Sequence, residues 1–274
     1  MLVNDKVLHY RENPLSTPQP PSIPQAVYGA LSASGFPFQT AVTRLIAETQ
    51  NYSVASQEFP WRDPDGNDQF LDIVAENGAF TLCLECKKTQ KQTLIFLAPD
   101  RLLNTHRIRC TFLTRVRDAT RRLETSRADW EFAPLSLESS FCVVSTSDKG
   151  KDQRMLEKDA RQVVLAAAAY ATAMRSSDRF QETFDIDRPI IPLIVTNAPL
   201  FIALYDPLNV SLESGQFIDR PEVVPAKWVR FRKAFTSDGR VNPDEQTVLI
   251  VGAIHLQELL ELLNWISHRP IDVR

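Results

Sequence analysis

Asp72, Glu85 and Lys87 are the residues of this chain whose types and spacing best fit chemistry. They lie in the stretch Phe70 to Lys88, FLDIVAENGAFTLCLECKK. Two runs with strand chemistry, Phe70–Ala75 and Phe80–Cys86, flank Asn77-Gly78, the dipeptide best suited to a type I′ turn. With Asn77 and Gly78 as the central residues, Glu76 pairs with Ala79, Asp72 faces Cys83 and Phe70 faces Glu85. Side chains alternate along a strand, so Asp72, Cys83, Glu85 and Lys87 are expected on one face. Asp72 and Glu85 are then diagonal neighbours about 7–8 Å apart at Cα, a spacing at which two carboxylates can share one divalent cation. Two acids and an amine among Leu, Ile, Val and Phe are costly to bury without partners or a task. That cost marks them as a functional candidate.

An acid followed by acid-x-lysine resembles the PD-(D/E)XK nuclease superfamily, the restriction-endonuclease-like fold. Asp72 matches the first acid, and Glu85-Cys86-Lys87 matches the E-x-K element. The resemblance begins upstream, where Gly35-Phe36-Pro37-Phe38 opens a helix followed by a strand and then the hairpin, and it covers residues 35–97 best. It implies an α/β fold with a mixed sheet flanked by helices, to which the later elements of this chain add a C-terminal αβ extension. It also implies Mg²⁺ or Mn²⁺ held by Asp72, Glu85 and the main-chain carbonyl of Cys86, with Lys87 beside the attacking water. The first helix of the family often supplies a glutamate near its start, where this chain has Gln39; Glu48, further along the same helix, is a possible extra acid. Of the literal Pro-Asp pairs, Pro64-Asp65 sits in the turn sequence DPDGN, and Pro99-Asp100 has no E-x-K after it.

The elements that must position these residues follow from periodicity. Residues 1–34, with Pro14, Pro18, Pro20, Pro21 and Pro24, read as an extended arm, and residues 35–274 as one domain. A helix is expected from Pro37 to Gln50, with Val42, Leu45, Ile46 and Thr49 at helical spacing. A strand follows over Tyr52–Phe59, then the hairpin, then a short apolar strand over Thr93–Leu97. Phe141–Ser145 reads as another strand, and Gln153–Met174 as a long helix in which Gln162 and Tyr170 are packing residues. Ile190–Asn197 and Leu200–Tyr205 read as a second strand pair, apolar enough for the centre of a sheet. A last strand lies within Val241–Ile254. A C-terminal helix then packs Leu256, Leu259, Leu260, Leu263 and Ile266 on one face.

Residues 101–127 are basic, in a chain whose net charge is −3. Eight arginines there stand against Asp118 and Glu124 alone. Guanidinium groups match phosphate oxygens in a bidentate way, so Arg115, Arg117, Arg121 and Arg122 are expected to contact nucleic acid. They belong to a basic insert over about 100–150, and a C-terminal extension runs over about 206–274.

Composition narrows the alternatives. The chain has no phosphate-binding G-x-x-x-x-G-K-[ST] loop and only eight glycines, which argues against a nucleotide cradle. Cys83, Cys86, Cys110 and Cys142 form no disulfide framework, and C-x-x-C within a strand points its two thiols to opposite faces. The four histidines are scattered singly. No apolar run is long enough to span a bilayer, and a cytoplasmic protein is expected. The expected function is Mg²⁺-dependent hydrolysis of nucleic acid, with DNA as substrate and a homodimer as one possible assembly. The alternatives are a catalytically weak or inactive nucleic-acid-binding module on the same fold, and a protein-interaction domain in which the three residues form a salt-bridged edge.

Overall fold

The computed structural model describes residues 25–89, 92–99, 104–115, 123–145, 155–175, 188–235 and 244–267. The chain divides into two units, residues 1–34 and residues 35–274. In the first, helix α1 runs over Gln25–Ala33. The expectation of an extended arm through residue 34 is therefore corrected at its end. The prolines stop at Pro24, and the QAVYGALSA that follows is free to form a helix.

The second unit is a mixed α/β structure. Helix α2 (Phe36–Glu48) leads into β1 (Ser53–Arg62), β2 (Asp68–Glu76) and β3 (Thr81–Lys87). Four strands follow: β4 (Thr93–Ala98), β5 (Asn104–Arg115), β6 (Leu123–Ser139) and β7 (Cys142–Ser145). Helix α3 (Met155–Arg175) precedes β8 (Arg188–Thr196) and β9 (Leu200–Leu204). The chain continues through β10 (Glu222–Ala226), β11 (Trp228–Phe235) and β12 (Asp244–Gly252) to helix α4 (Leu256–Ser267).

Eight strands form the main sheet in the order β1-β2-β3-β8-β12-β11-β6-β5, and β10-β9-β4-β7 form a second. Strands β1, β2 and β3 are an antiparallel meander, and β8 runs parallel to β3, with Glu85 opposite Ile194 and Lys87 opposite Thr196. The far edge of β8 serves two partners. Its second half lies parallel to β12, while its first residues pair antiparallel with β5. That second pairing closes β8, β12, β11, β6 and β5 into a circuit. All nine residues of β8 are buried, as a strand with covered faces and paired edges requires.

Apolar cores lie on both sides of the main sheet. Val42 and Ile46 of α2 and Leu256, Leu259, Leu260 and Leu263 of α4 pack with Ile73, Leu82, Leu84 and Leu193. On the other side, Ala160, Val163, Ala167, Tyr170 and Ala171 of α3 pack with Val74, Cys83 and Ile194 and with residues of the second sheet. Cys83 and Cys86 thus belong to opposite sides, and all four thiols are free. Among the described residues no helix is long and apolar enough to cross a membrane.

Two expectations about strand pairing are corrected. Asn77-Gly78 does not form a type I′ turn, because positive φ among the described residues is confined to Asn51, Glu58, Gly66 and Gly215. Glu76 instead pairs with Thr81 and Ile73 with Leu84, a register two residues away from the expected one. The Asn77 side-chain oxygen accepts from the N–H groups of Ala79 and Phe80, both at 2.9 Å. Arg188 fastens the loop, donating through Nη2 to the carbonyls of Asn77 at 2.8 Å and Phe80 at 3.1 Å. A shift of two keeps every side chain on its expected face. The second correction concerns β8 and β9, which are not a hairpin. β9 leaves for the second sheet, parallel to β4 and antiparallel to β10. Apart from Arg188 and Thr196 at the ends of β8, both strands are apolar, so neither carries an alternation that fixes its partner.

Candidate functional site

The β2–β3 ladder stops at Ile73 and Leu84. At the next residue the Asp72 carboxylate takes over the role of a main-chain acceptor: its Oδ2 accepts the Cys86 N–H at 2.6 Å. Continuing the register sets Asp72 opposite Glu85, and the two acids are close enough for Asp72 to push the Glu85 pKa upward. They are cross-strand neighbours rather than diagonal ones. Lys87 projects from the same face of β3, with Nζ 2.9 Å from Glu85 Oε1 and 3.2 Å from Oδ1 of Asp159 on α3.

Electrostatics here are dominated by burial. Glu85 is 5% exposed, and its Oε2 is buried with no hydrogen-bond partner. Desolvation first, and the neighbouring Asp72 second, push its carboxyl up to about 7. Burial also raises the pKa values of Asp72 and Asp159. The Lys87 amine loses hydration too, which favours its neutral form. Glu85 and Asp159 together outweigh that loss, so its pKa lies above the ordinary lysine value.

Gln39 and Glu58 complete the surroundings. Gln39 is buried on α2, and its Nε2 donates to the Asp72 carbonyl at 3.2 Å and to Glu58 Oε1. Glu58 lies in the middle of β1 at φ 51°, the left-handed region that a side chain rarely occupies. The pairs Gln57 with Ile73 and Phe59 with Leu71 set it opposite Asp72 in register. Its charge raises the Asp72 pKa. Glu48 is not part of this group. It lies nine residues beyond Gln39, about 13 Å along the helix axis, exposed and paired with Arg44 at 2.7 Å.

Two of these residues, Glu58 and Asp159, are missed by sequence reasoning. Nothing local distinguishes Glu58, because its relevance comes from backbone conformation and register. Asp159 did carry a signal: it falls on the apolar stripe of α3 beside Leu156, Ala160 and Val163, where an acid needs a partner. The expected phosphate contacts are a separate matter. Arg117, Arg121 and Arg122 lie outside the described residues, as does the Arg115 side chain. Arg107 and Arg109 are engaged across the β5–β6 hairpin with Glu131 and Asp129, each at 3.6 Å.

The donor set suits a hard divalent cation such as Mg²⁺ or Mn²⁺. Asp72 and Glu85 bring carboxylate oxygens to one place, and the buried Glu85 Oε2 is an acceptor with no hydrogen-bond partner. Among the described residues no group of three or more His, Cys, Asp or Glu side chains is arranged to hold an ion. No protein-family model, curated protein or solved structure matches this chain.

Proposed function

We propose that this protein is a metal-dependent nuclease with a restriction-endonuclease-like core, hydrolysing phosphodiester bonds of nucleic acid, with DNA as the favoured substrate. One observation carries the reading: Asp72, Glu85 and Lys87 meet on one face where the β2–β3 ladder ends, and a buried Glu85 oxygen there has no partner. Element order supports it. A helix, three antiparallel strands, a helix and a strand parallel to the third follow one another once the intervening β4–β7 segment is set aside.

Asp72 and Glu85 would hold Mg²⁺ together with the Cys86 carbonyl. When bound, such an ion neutralises phosphate charge and acidifies water. Asp72 is oriented by the Cys86 N–H, which fixes its Oδ2 at 2.6 Å and would leave Oδ1 as the ligand. Glu85 Oε1 is held by Lys87 at 2.9 Å, and Oε2, which has no hydrogen-bond partner, would be the oxygen available to a cation. Lys87, whose two acidic neighbours keep it an ammonium, stabilises negative charge developing on the phosphate oxygens or on the attacking water. Arg115, Arg117, Arg121 and Arg122 would add sequence-independent attraction to the phosphate backbone.

The deciding experiment incubates the purified chain with duplex DNA, single-stranded DNA and RNA, with Mg²⁺ or Mn²⁺ and with chelator. Degradation that needs the cation and is lost in Asp72→Asn and Glu85→Gln is the expected result. Failure to degrade any of these substrates with either cation would overturn the proposal.

A further inference from the structure

We infer that Asp159 is the positioning residue for Lys87, holding the ammonium in the site while Glu85 is engaged with a cation. The catalytic consequence rests on the nuclease reading of the site; the contact itself does not. Lys87 lies between two carboxylates on different elements, Glu85 on its own strand and Asp159 on α3. Glu85 alone is a poor anchor, since its other oxygen is the one left for an ion and any turn of the carboxylate toward that ion loosens its hold on the amine. Asp159 has no such second task. It is 9% exposed and sits on a helix fastened to the sheet by Ala160, Val163, Ala167 and Tyr170, with the Tyr170 hydroxyl donating to Glu76 at 2.8 Å. A carboxylate on so rigid a mount fixes Nζ in place, whereas a lysine otherwise has four rotatable side-chain bonds. Positioning at this level is worth a great deal, because a displacement near 1 Å at a reacting centre can cost about a hundredfold in rate.

The test combines full-length Asp159→Asn, Lys87→Met and the double variant. Cleavage kinetics and Mn²⁺ calorimetry are followed beside ¹⁵N spectra of the lysine ammonium groups, in which the Lys87 signal is assigned by its absence from Lys87→Met. Asp159→Asn is expected to lose the slowly exchanging Lys87 signal and to lower kcat by about a hundredfold. KM and Mn²⁺ affinity should stay within about twofold, since Asp159 belongs to neither the substrate contacts nor the metal ligands. Asp159→Glu should recover much of the lost rate. In the Lys87→Met background, Asp159→Asn should cause no further fall in kcat, because a residue acting only through another has nothing left to act on. The double variant also removes a buried pair together, which safeguards folding if the single variant is unstable. A further fall in the double variant, or an Asp159→Asn protein with the parental Lys87 signal, overturns the inference. If the parent chain cleaves nothing, the nuclease reading fails, and the ammonium spectrum alone still decides on Asp159.

Discussion

Asp72 accepts a hydrogen bond from the Cys86 main-chain N–H at 2.6 Å, so a side chain completes a ladder that the two backbones have abandoned. The separation of β2 and β3 beyond Ile73 and Leu84 has two effects. It lets a carboxylate enter between strands that are otherwise apolar, and it ties the position of that carboxylate to the residue between Glu85 and Lys87. The acid, acid-x-lysine spacing is thereby converted into one rigid local geometry.

That bond separates two uses of Asp72. An asparagine can still accept the Cys86 N–H through its amide oxygen, so Asp72→Asn should fold with nearly parental stability. Asp72→Ala leaves a partly buried donor unpaired and should cost about 1–3 kcal/mol. Both should weaken Mn²⁺ binding at the site and cleavage with it. Denaturant unfolding beside calorimetry checks this; equal stability losses in the two variants would mean that the Cys86 bond contributes nothing.

Stability without metal should depend on pH in a direction set by Glu85. Its carboxyl is pushed up to about 7 in the folded chain from an ordinary value of 4.5. Between those values the folded chain keeps a proton that the unfolded chain has released, so stability falls as pH rises. The Glu85 contribution is complete below about 4.5 and lost as pH passes through about 7. Asp72 and Asp159, also raised by burial, act with the same sign. With chelator present, Tm should be lower near pH 8 than near pH 5.5, and Glu85→Gln should remove most of the difference. A parental pH dependence in Glu85→Gln would place the titrating group elsewhere.

Much of this arrangement was legible in the residues themselves. Helical spacing marks α2, α3 and α4, and alternation puts Asp72, Glu85 and Lys87 on one face even though the observed register differs by two residues from the one Asn77-Gly78 suggests. The difference has a physical source: Asn77 uses its side chain, and Arg188 its guanidinium from more than a hundred positions away, to stabilise a longer loop. No local propensity contains that second contribution. The partners of β8 and β9 were hidden for a related reason, since strands apolar on both faces can pair with almost any neighbour. Glu58 was illegible altogether, because what makes it notable is a left-handed φ inside a strand.

Glu58 should therefore respond abnormally to substitution. In an ordinary strand glycine is less stable than alanine. At φ 51° the order should reverse, with Glu58→Gly more stable than Glu58→Ala by about 1 kcal/mol. Both variants remove a charge that raises the Asp72 pKa, so the Asp72 carboxyl should titrate lower in each. Denaturant unfolding and carboxyl NMR test the two halves separately. If alanine proves the more stable replacement, the left-handed conformation is not imposed by the surrounding sheet.

The three residues of the central group should separate by role. On the proposed nuclease reading, Asp72→Ala and Glu85→Ala should each weaken metal binding and cleavage together, since each removes a proposed ligand and a counter-charge for Lys87. Lys87→Ala should leave Mn²⁺ binding intact or somewhat tighter, because it removes a cation adjacent to the ligands and frees both Glu85 oxygens. Cleavage should nevertheless fall by about 10²–10³-fold, the cost of losing one charge donor in a preorganised site. On the proposed nuclease reading, Lys87 would act on charge that develops during reaction, whereas the acids would act on the ground-state complex as well. Mn²⁺ titration beside a cleavage assay distinguishes these outcomes. A Lys87→Ala protein that cleaves like the parent would reduce the lysine to an ion-pair partner of Glu85 and Asp159, and the charge-stabilising role would have to pass to another residue.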